Sequence, residues 1–203
     1  MTKVLYIQRE VRLEARKVYV DDVLLFEDEA ADTDLAFLGK LYRHLNLSYP
    51  KFFKMDPLSK TLFLVSELLL QDTGLSSEAG DSGVAQVFQN GHASLYTDRQ
   101  FQSTIHSRDY LPGPSLFVYT LANMALGEVA IRHKCMGESV TFMGSKFDTE
   151  SCIHYVSAVF ERDPVHTVLC GWFDYTADEQ AEARIFLVRK EKNNKIFKNI
   201  KNL

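Results

Sequence analysis

Three cysteines and six histidines are the side chains here most able to do nucleophilic chemistry. A cysteine nucleophile needs a base within hydrogen-bond reach and donors for an oxyanion. Cys152 with His154 and Cys135 with His133 are the two close pairs, and each is separated by two residues. On a helix such residues point to nearly opposite sides, so Cys152 is a weak candidate nucleophile. Cys170 lies in the apolar run Thr167-Val-Leu-Cys-Gly171 and reads as a buried, inert thiol. An odd cysteine count without CxxC spacing predicts three free thiols and no thiolate metal site. His44, His92, His106, His133, His154 and His166 show no HxxxH or HxH spacing, so no metal is expected. No P-loop or GxGxxG is present, so no nucleotide cofactor is expected either. The carboxylate groups Asp21-Asp22, Glu27-Asp28-Glu29 and Asp178-Glu179 fall in predicted loops and read as solvated surface.

The elements that must position these groups are legible from pattern. Val4 to Ile7 and Val18 to Val20 predict two short strands. Asp32-Thr33-Asp34 caps a helix running through Leu45, and Asp56 caps a second in which Pro57 stands first. In that second helix Leu58, Leu62, Val65 and Leu69 form one apolar stripe. Val84 to Phe88 predicts a buried strand, closed by the turn signal Asn90-Gly91. Thr97-Asp98 predicts a helix to about His106, and Ser115 a buried helix from Leu116 to about His133. After Gly137 come a strand from Ser139 to Met143, a helix from Phe147 to Glu161, and strands from His166 to Tyr175 and Ala183 to Arg189. Alternating strands and helices mean an α/β layer architecture.

Composition bounds the class. The chain has 203 residues, 46% hydrophobic and 25% charged, with net charge −4. That suffices for one core without disulfides or metal. The segment from Arg189 onward carries +5, leaving −9 on the other 188 residues. An acidic body disfavours a nucleic-acid partner. The longest apolar stretch, Thr61 to Leu70, is interrupted by Ser66 and Glu67 and is too short to span a membrane. Without a secretion signal at Met1-Thr2-Lys3-Val4, the expected location is cytoplasmic.

Several segments, taken in order, form a pattern: Phe52-Phe53-Lys54-Met55-Asp56 before a capped helix; Ser94-Leu95-Tyr96-Thr97-Asp98; and Pro114 through Asn123-Met124 with Gly127 and Gly137-Glu138. From about Tyr49 to Arg189 the chain resembles the N-terminal half of β-ketoacyl-acyl carrier protein synthases. More narrowly, it is similar to the short ketosynthase-like proteins of bacterial aryl polyene and flexirubin pathways. The resemblance implies a thiolase-like half in the α/β class, with a mixed sheet of about five strands flanked by helices over residues 1–190 and a basic tail over 191–203.

In active members the strand after the glycine matched by Gly137 leads to a Thr-Ala-Cys turn, where a helix dipole activates the thiol. Here Gly144-Ser145-Lys146 stands in that place, with Lys146 at the nucleophile's position. Two further catalytic histidines belong to a C-terminal half beyond this chain's length. The resemblance therefore implies a catalytically silent chain length factor, without cofactor, that pairs with an active ketosynthase or with itself. It would contact an acyl chain on an acyl carrier protein. Phe117, Val118, Leu121, Met124, Ala125, Thr141, Met143, Lys146 and Phe147 are its candidate interface or tunnel residues. Two alternatives are a divergent acyl-processing enzyme using Cys152, Ser145 or Lys146, and a stand-alone homodimeric acyl-binding protein.

Overall fold

A computed structural model describes residues 4–75, 80–105, 113–162 and 164–200. Its centre is the helix α2 (Pro57–Leu70), in which every residue except Lys60 and Glu67 is buried. The Asp56 carboxylate accepts from the Ser59 N–H at 3.0 Å and Pro57 opens the first turn, so both signals at this helix start operate as expected. Leu62, Val65 and Leu69 are fully shielded, and each such side chain contributes about 1.5–3 kcal/mol by leaving water.

Against α2 lies one mixed sheet. Its strands are β1 (Tyr6–Glu14), β2 (Lys17–Val20), β3 (Val23–Glu27), β4 (Val84–Asn90), β5 (Ser139–Met143), β6 (Thr167–Tyr175), β7 (Ala181–Arg189) and β8 (Lys195–Ile196). They are ordered β3-β2-β1-β7-β6-β4-β5, with β8 added to β1. β4 pairs in parallel with both β5 and β6, while β7, β1, β2 and β3 continue antiparallel. The mixed α/β sheet flanked by helices is as expected, with eight strands instead of about five. To the six strand segments read from pattern are added β3, joined to β2 through Asp21-Asp22 in left-handed conformation, and β8.

The described part of the basic tail is fastened to the sheet. Lys195 and Ile196 pair with Ile7 and Tyr6, and Phe197 is completely buried in the core beneath them. An apolar ring within a Lys-rich segment outweighs the solvation of its neighbours.

The remaining helices are α1 (Asp34–His44), α3 (Leu95–Ser103), α4 (Pro114–Phe117), α5 (Met124–His133) and α6 (Thr149–Val159). α2 and α5 cover one face of the sheet and α6 the other. Thr33 caps α1 through the Ala36 N–H at 3.1 Å. Two helix expectations are corrected. α3 begins at Leu95, two residues before the expected cap, because Thr97 is buried and donates its hydroxyl to Asp56 at 2.9 Å. Its expected end at His106 lies outside the described residues.

The single buried helix expected over Leu116–His133 is broken. α4 and a 3-10 turn (Val118–Thr120) are followed by an extended Leu121, and α5 leaves at 97° to them. The physical cause is polar: Tyr119 donates to the buried Glu128 carboxylate at 2.9 Å, and Ser94 donates to the Thr120 carbonyl at 2.9 Å. These bonds fold the first half back. Lys51 balances the Glu128 charge from 2.8 Å in an ion pair. Among the described residues no single helix is long and apolar enough to cross a membrane.

Candidate functional site

The three parallel strands β5, β4 and β6 end together, and the chain leaves their carboxyl ends toward opposite faces. From β4 it runs through α3, α4 and α5 to β5, and from β5 through α6 to β6. The end of β4 is thus a topological switch point, where open α/β sheets form a crevice. Gly137 sets the approach of β5: its N–H donates to the Val84 carbonyl at 3.0 Å, and a Cβ there would strike the Val84 backbone.

The strand-to-helix turn after β5 is Gly144-Ser145-Lys146-Phe147-Asp148. Gly144 N–H donates to the Asn90 carbonyl at 3.0 Å. The Gln89 side chain then grips the backbone of Asp148 twice, donating to its carbonyl at 2.8 Å and accepting from its N–H at 2.7 Å. Asp148 caps α6, taking the Ser151 N–H at 3.1 Å and the Ser151 hydroxyl at 2.6 Å. Those bonds hold its carboxyl below the usual range. The positive end of α6 therefore faces its own carboxylate.

Ser145 and Lys146 are exposed, whereas Phe147 is buried in this chain's core beside the α6 residues Cys152 and Val156. Phe147 is thus core, not a surface residue of any interface. Cys152 is the fourth residue of α6, 1% exposed, while His154 points to solvent. Geometry separates that pair as the spacing predicts. Cys152 sits against Cys170, whose thiol is pushed well up by burial and further by its neighbour. Cys135 is also buried, and burial, with the Asp81 charge, pushes its thiol up to about 11.

A groove of about 980 Å³ runs between β5 and α6, lined by Gln89, Phe142, Met143, Lys146, Ser151 and Tyr155 among others. β5 is one of the two edges of the sheet, β3 being the other, so its outer backbone groups have no strand partner among the described residues. Apolar side chains stay exposed along it and across the α4–α5 bend: Met143 at 52%, Phe117 at 58%, Leu121 at 56% and Ile131 at 52%. Val118 is exposed too, Met124 and Thr141 are half-buried, and Ala125 is buried. Gly127, in the middle of α5, has no atom within 4 Å of where a Cβ would stand.

Sequence reading missed two arrangements. One is the Tyr119–Glu128–Lys51 cluster; the other pairs His92 Nδ1 with Asp174 at 2.7 Å. Asn90-Gly91 flagged the turn that carries His92, but no local pattern marks a partner 82 positions away.

Sequence comparison finds no matching family model and no similar curated protein. Structure comparison places the fold among the thiolase-type ketosynthases. Similar solved structures include the ishigamide ketosynthase/chain length factor, at TM-score 0.63 and 16% identity, covering 92% of this chain and 62% of that one. A ketosynthase (ApeO) in complex with its chain length factor (ApeC) from Xenorhabdus doucetiae matches at TM-score 0.56 and 12% identity, covering 94% of this chain and 80% of that one. A type II polyketide synthase acyl carrier protein in complex with its ketosynthase, AntDE:AntF, matches at 0.59 and 13% identity, over 92% and 62%. The chain spans about three fifths of the length of the first and third of these relatives.

Proposed function

We propose that this chain is a chain length factor-type subunit, silent in carbon–carbon condensation, that pairs with an active ketosynthase in fatty-acid-like or polyketide synthesis of the aryl polyene kind. The observation that carries the reading is the turn after β5. It has the strand-to-helix form of a nucleophile turn, yet it presents Ser145 and Lys146, and the helix end that would activate a thiol is capped by Asp148. The chain's three cysteines are buried, Cys152 in the core beneath the turn beside Phe147.

The partner surface is the free edge of β5 with the exposed Met143, Phe117 and Leu121. An exposed strand edge beside apolar side chains is a pairing surface that proteins otherwise protect. Gly127 supports it: a mid-helix glycine costs about 1 kcal/mol against alanine, and nothing in this chain's own packing requires one. A closely approaching partner backbone does. The acyl chain, on its carrier protein, is contacted and not transformed by this subunit. Three free thiols suit the cytoplasm.

The test is condensation by the reconstituted pair. Cys152→Ala in this chain leaves product formation unchanged, while removal of the partner's nucleophile abolishes it. Loss of product with Cys152→Ala, in a protein that still folds, overturns the silent reading.

A further inference from the structure

β3 is the edge of the sheet farthest from β5. Along it Val23, at 69% exposure, is followed by the exposed Leu24 and Leu25. No strand takes the outer N–H and C=O groups of β3 among the described residues. A run of exposed apolar residues on an open strand edge is what proteins avoid unless something covers it. A bulge at Leu25, one usual protection of such an edge, leaves Val23 and Leu24 in register with β2 and uncovered. The edge is also preformed. The turn Asp21-Asp22 closes on the pair Val20 and Val23, and Phe26 anchors the other end against Phe37 and His44, with ring centroids 5.5 and 4.7 Å apart. A partner therefore meets a rigid template that needs little ordering.

The charge around this edge has one sign. Asp21-Asp22 precedes the apolar run and Glu27-Asp28-Glu29 follows it. Lys17 holds Glu29 at 2.6 Å and Glu27 at 3.6 Å, Lys40 holds Asp28 at 2.6 Å, and Lys195 holds Asp22 at 3.2 Å, so carboxylates exceed lysines. Beside Glu29 opens a cavity of about 840 Å³ whose walls include Glu14, Asp32, Asp178, Glu179 and Glu182. The cations on those walls are engaged already, Arg16 by Asp34 at 2.8 Å and Lys17 by Glu29. The apolar edge thus leads at its carboxyl end into an acidic recess.

We infer that the β3 edge docks an extended, basic segment of another protein. That segment adds a strand to β3, covers Val23 and Leu24 with its own apolar side chains, and sets a lysine or arginine in the cavity beside Glu29. Main-chain hydrogen bonds supply the affinity, and the basic residues select the partner. A second copy of this chain does not fit. Two β3 strands paired antiparallel about Leu25 would lay Glu27, Asp28 and Glu29 of one beside Val23, Asp22 and Asp21 of the other, and like charges across a strand pair oppose it. The same charge turns away an anionic membrane. Because β3 and β5 are opposite ends of one sheet, this docking is independent of pairing with a ketosynthase.

The test titrates the nitrogen-15-labelled full chain with the capped peptide Lys-Lys-Val-Thr-Val-Thr-Val-Lys-Lys and with its counterpart carrying glutamate for every lysine. The lysine peptide is expected to shift the amides of Val23 to Glu27 saturably and to slow their hydrogen exchange, with affinity falling about tenfold between about 50 and 500 mM salt. The glutamate peptide binds at least about tenfold more weakly. Val23→Lys and Leu24→Lys, both at exposed positions and checked for folding by circular dichroism, abolish the shifts, and Glu29→Lys weakens them. Absence of shifts at β3 with about 1 mM lysine peptide, or equal binding of the two peptides by the wild type, overturns the proposal. So does a dimer in light scattering that Val23→Lys dissolves, which would assign the edge to a second copy. Sedimentation with phosphatidylcholine–phosphatidylglycerol vesicles that Val23→Lys abolishes would assign it to a membrane instead.

Discussion

Two apolar segments of similar composition meet opposite fates in this molecule. α2 runs unbroken for 14 residues and is buried on nearly every side, whereas Pro114 to His133 breaks at Leu121 and leaves Phe117, Val118, Leu121 and Ile131 in contact with solvent. The difference does not lie in hydrophobicity. α2 is enclosed by the sheet, α1 and α5, while the second segment is folded back by Tyr119 and Ser94 at the rim, beside the unpaired edge of β5. Apolar surface that the chain leaves uncovered, next to the open edge of β5, is the surface proposed for a partner. Apolar surface that it does cover reports only stability.

That contrast is open to direct attack. The largest expected effect is in α2: Leu62→Ala destabilises the chain by about 3 kcal/mol, measured by urea denaturation. A cost below about 1 kcal/mol would mean that α2 is not the enclosed element.

Next is Cys135, buried at the junction between α5 and β5. Its folded pKa of about 11 lies above the ordinary thiol value. The folded state therefore holds this proton more tightly, and the associated stability is present below about pH 9 and declines as pH rises toward 11. Denaturation midpoints should fall over that window in the wild type and less steeply in Cys135→Ala, once each is referred to its own value at pH 8. Parallel curves would contradict the burial.

Gly127→Ala stabilises the isolated chain by up to about 1 kcal/mol, and Gly127→Leu weakens the complex with the ketosynthase about tenfold or more. If Gly127→Leu binds normally, no partner backbone approaches there. The smallest effect on stability belongs to Phe117→Ser and Leu121→Ser, each within about 0.5 kcal/mol of the wild type. Their effect on association, read by titration calorimetry, should nevertheless be clear. Substantial unfolding in these variants would move them from the partner surface into the core.

How much of this was legible in the sequence follows from the range of the forces involved. α2 was readable because its cap, its proline and its stripe all lie within 14 residues and agree. The carboxyl end of β5 and the turn after it were readable for the same reason, including the unusual Gly144-Ser145-Lys146. The bend at Leu121 was not, since it depends on Tyr119 reaching a buried Glu128 and on Ser94, 26 residues from Thr120. β3 was hidden because its hairpin turns on Asp21-Asp22 in left-handed conformation, where asparagine and glycine would have signalled it. The pairing of β8 and the burial of Phe197 were hidden because charged neighbours outnumber the apolar residues in that basic segment. His92 and Asp174 meet only because β4 and β6 are adjacent, a fact of topology.

The central claim is that the β5 edge and the α4–α5 rim are covered by an active ketosynthase. Its most direct test is light scattering of this full chain co-expressed with a ketosynthase from the same genome, after size-exclusion chromatography. The account predicts a stable one-to-one complex. Recovery of this chain as a free monomer, with the ketosynthase eluting alone, would contradict it.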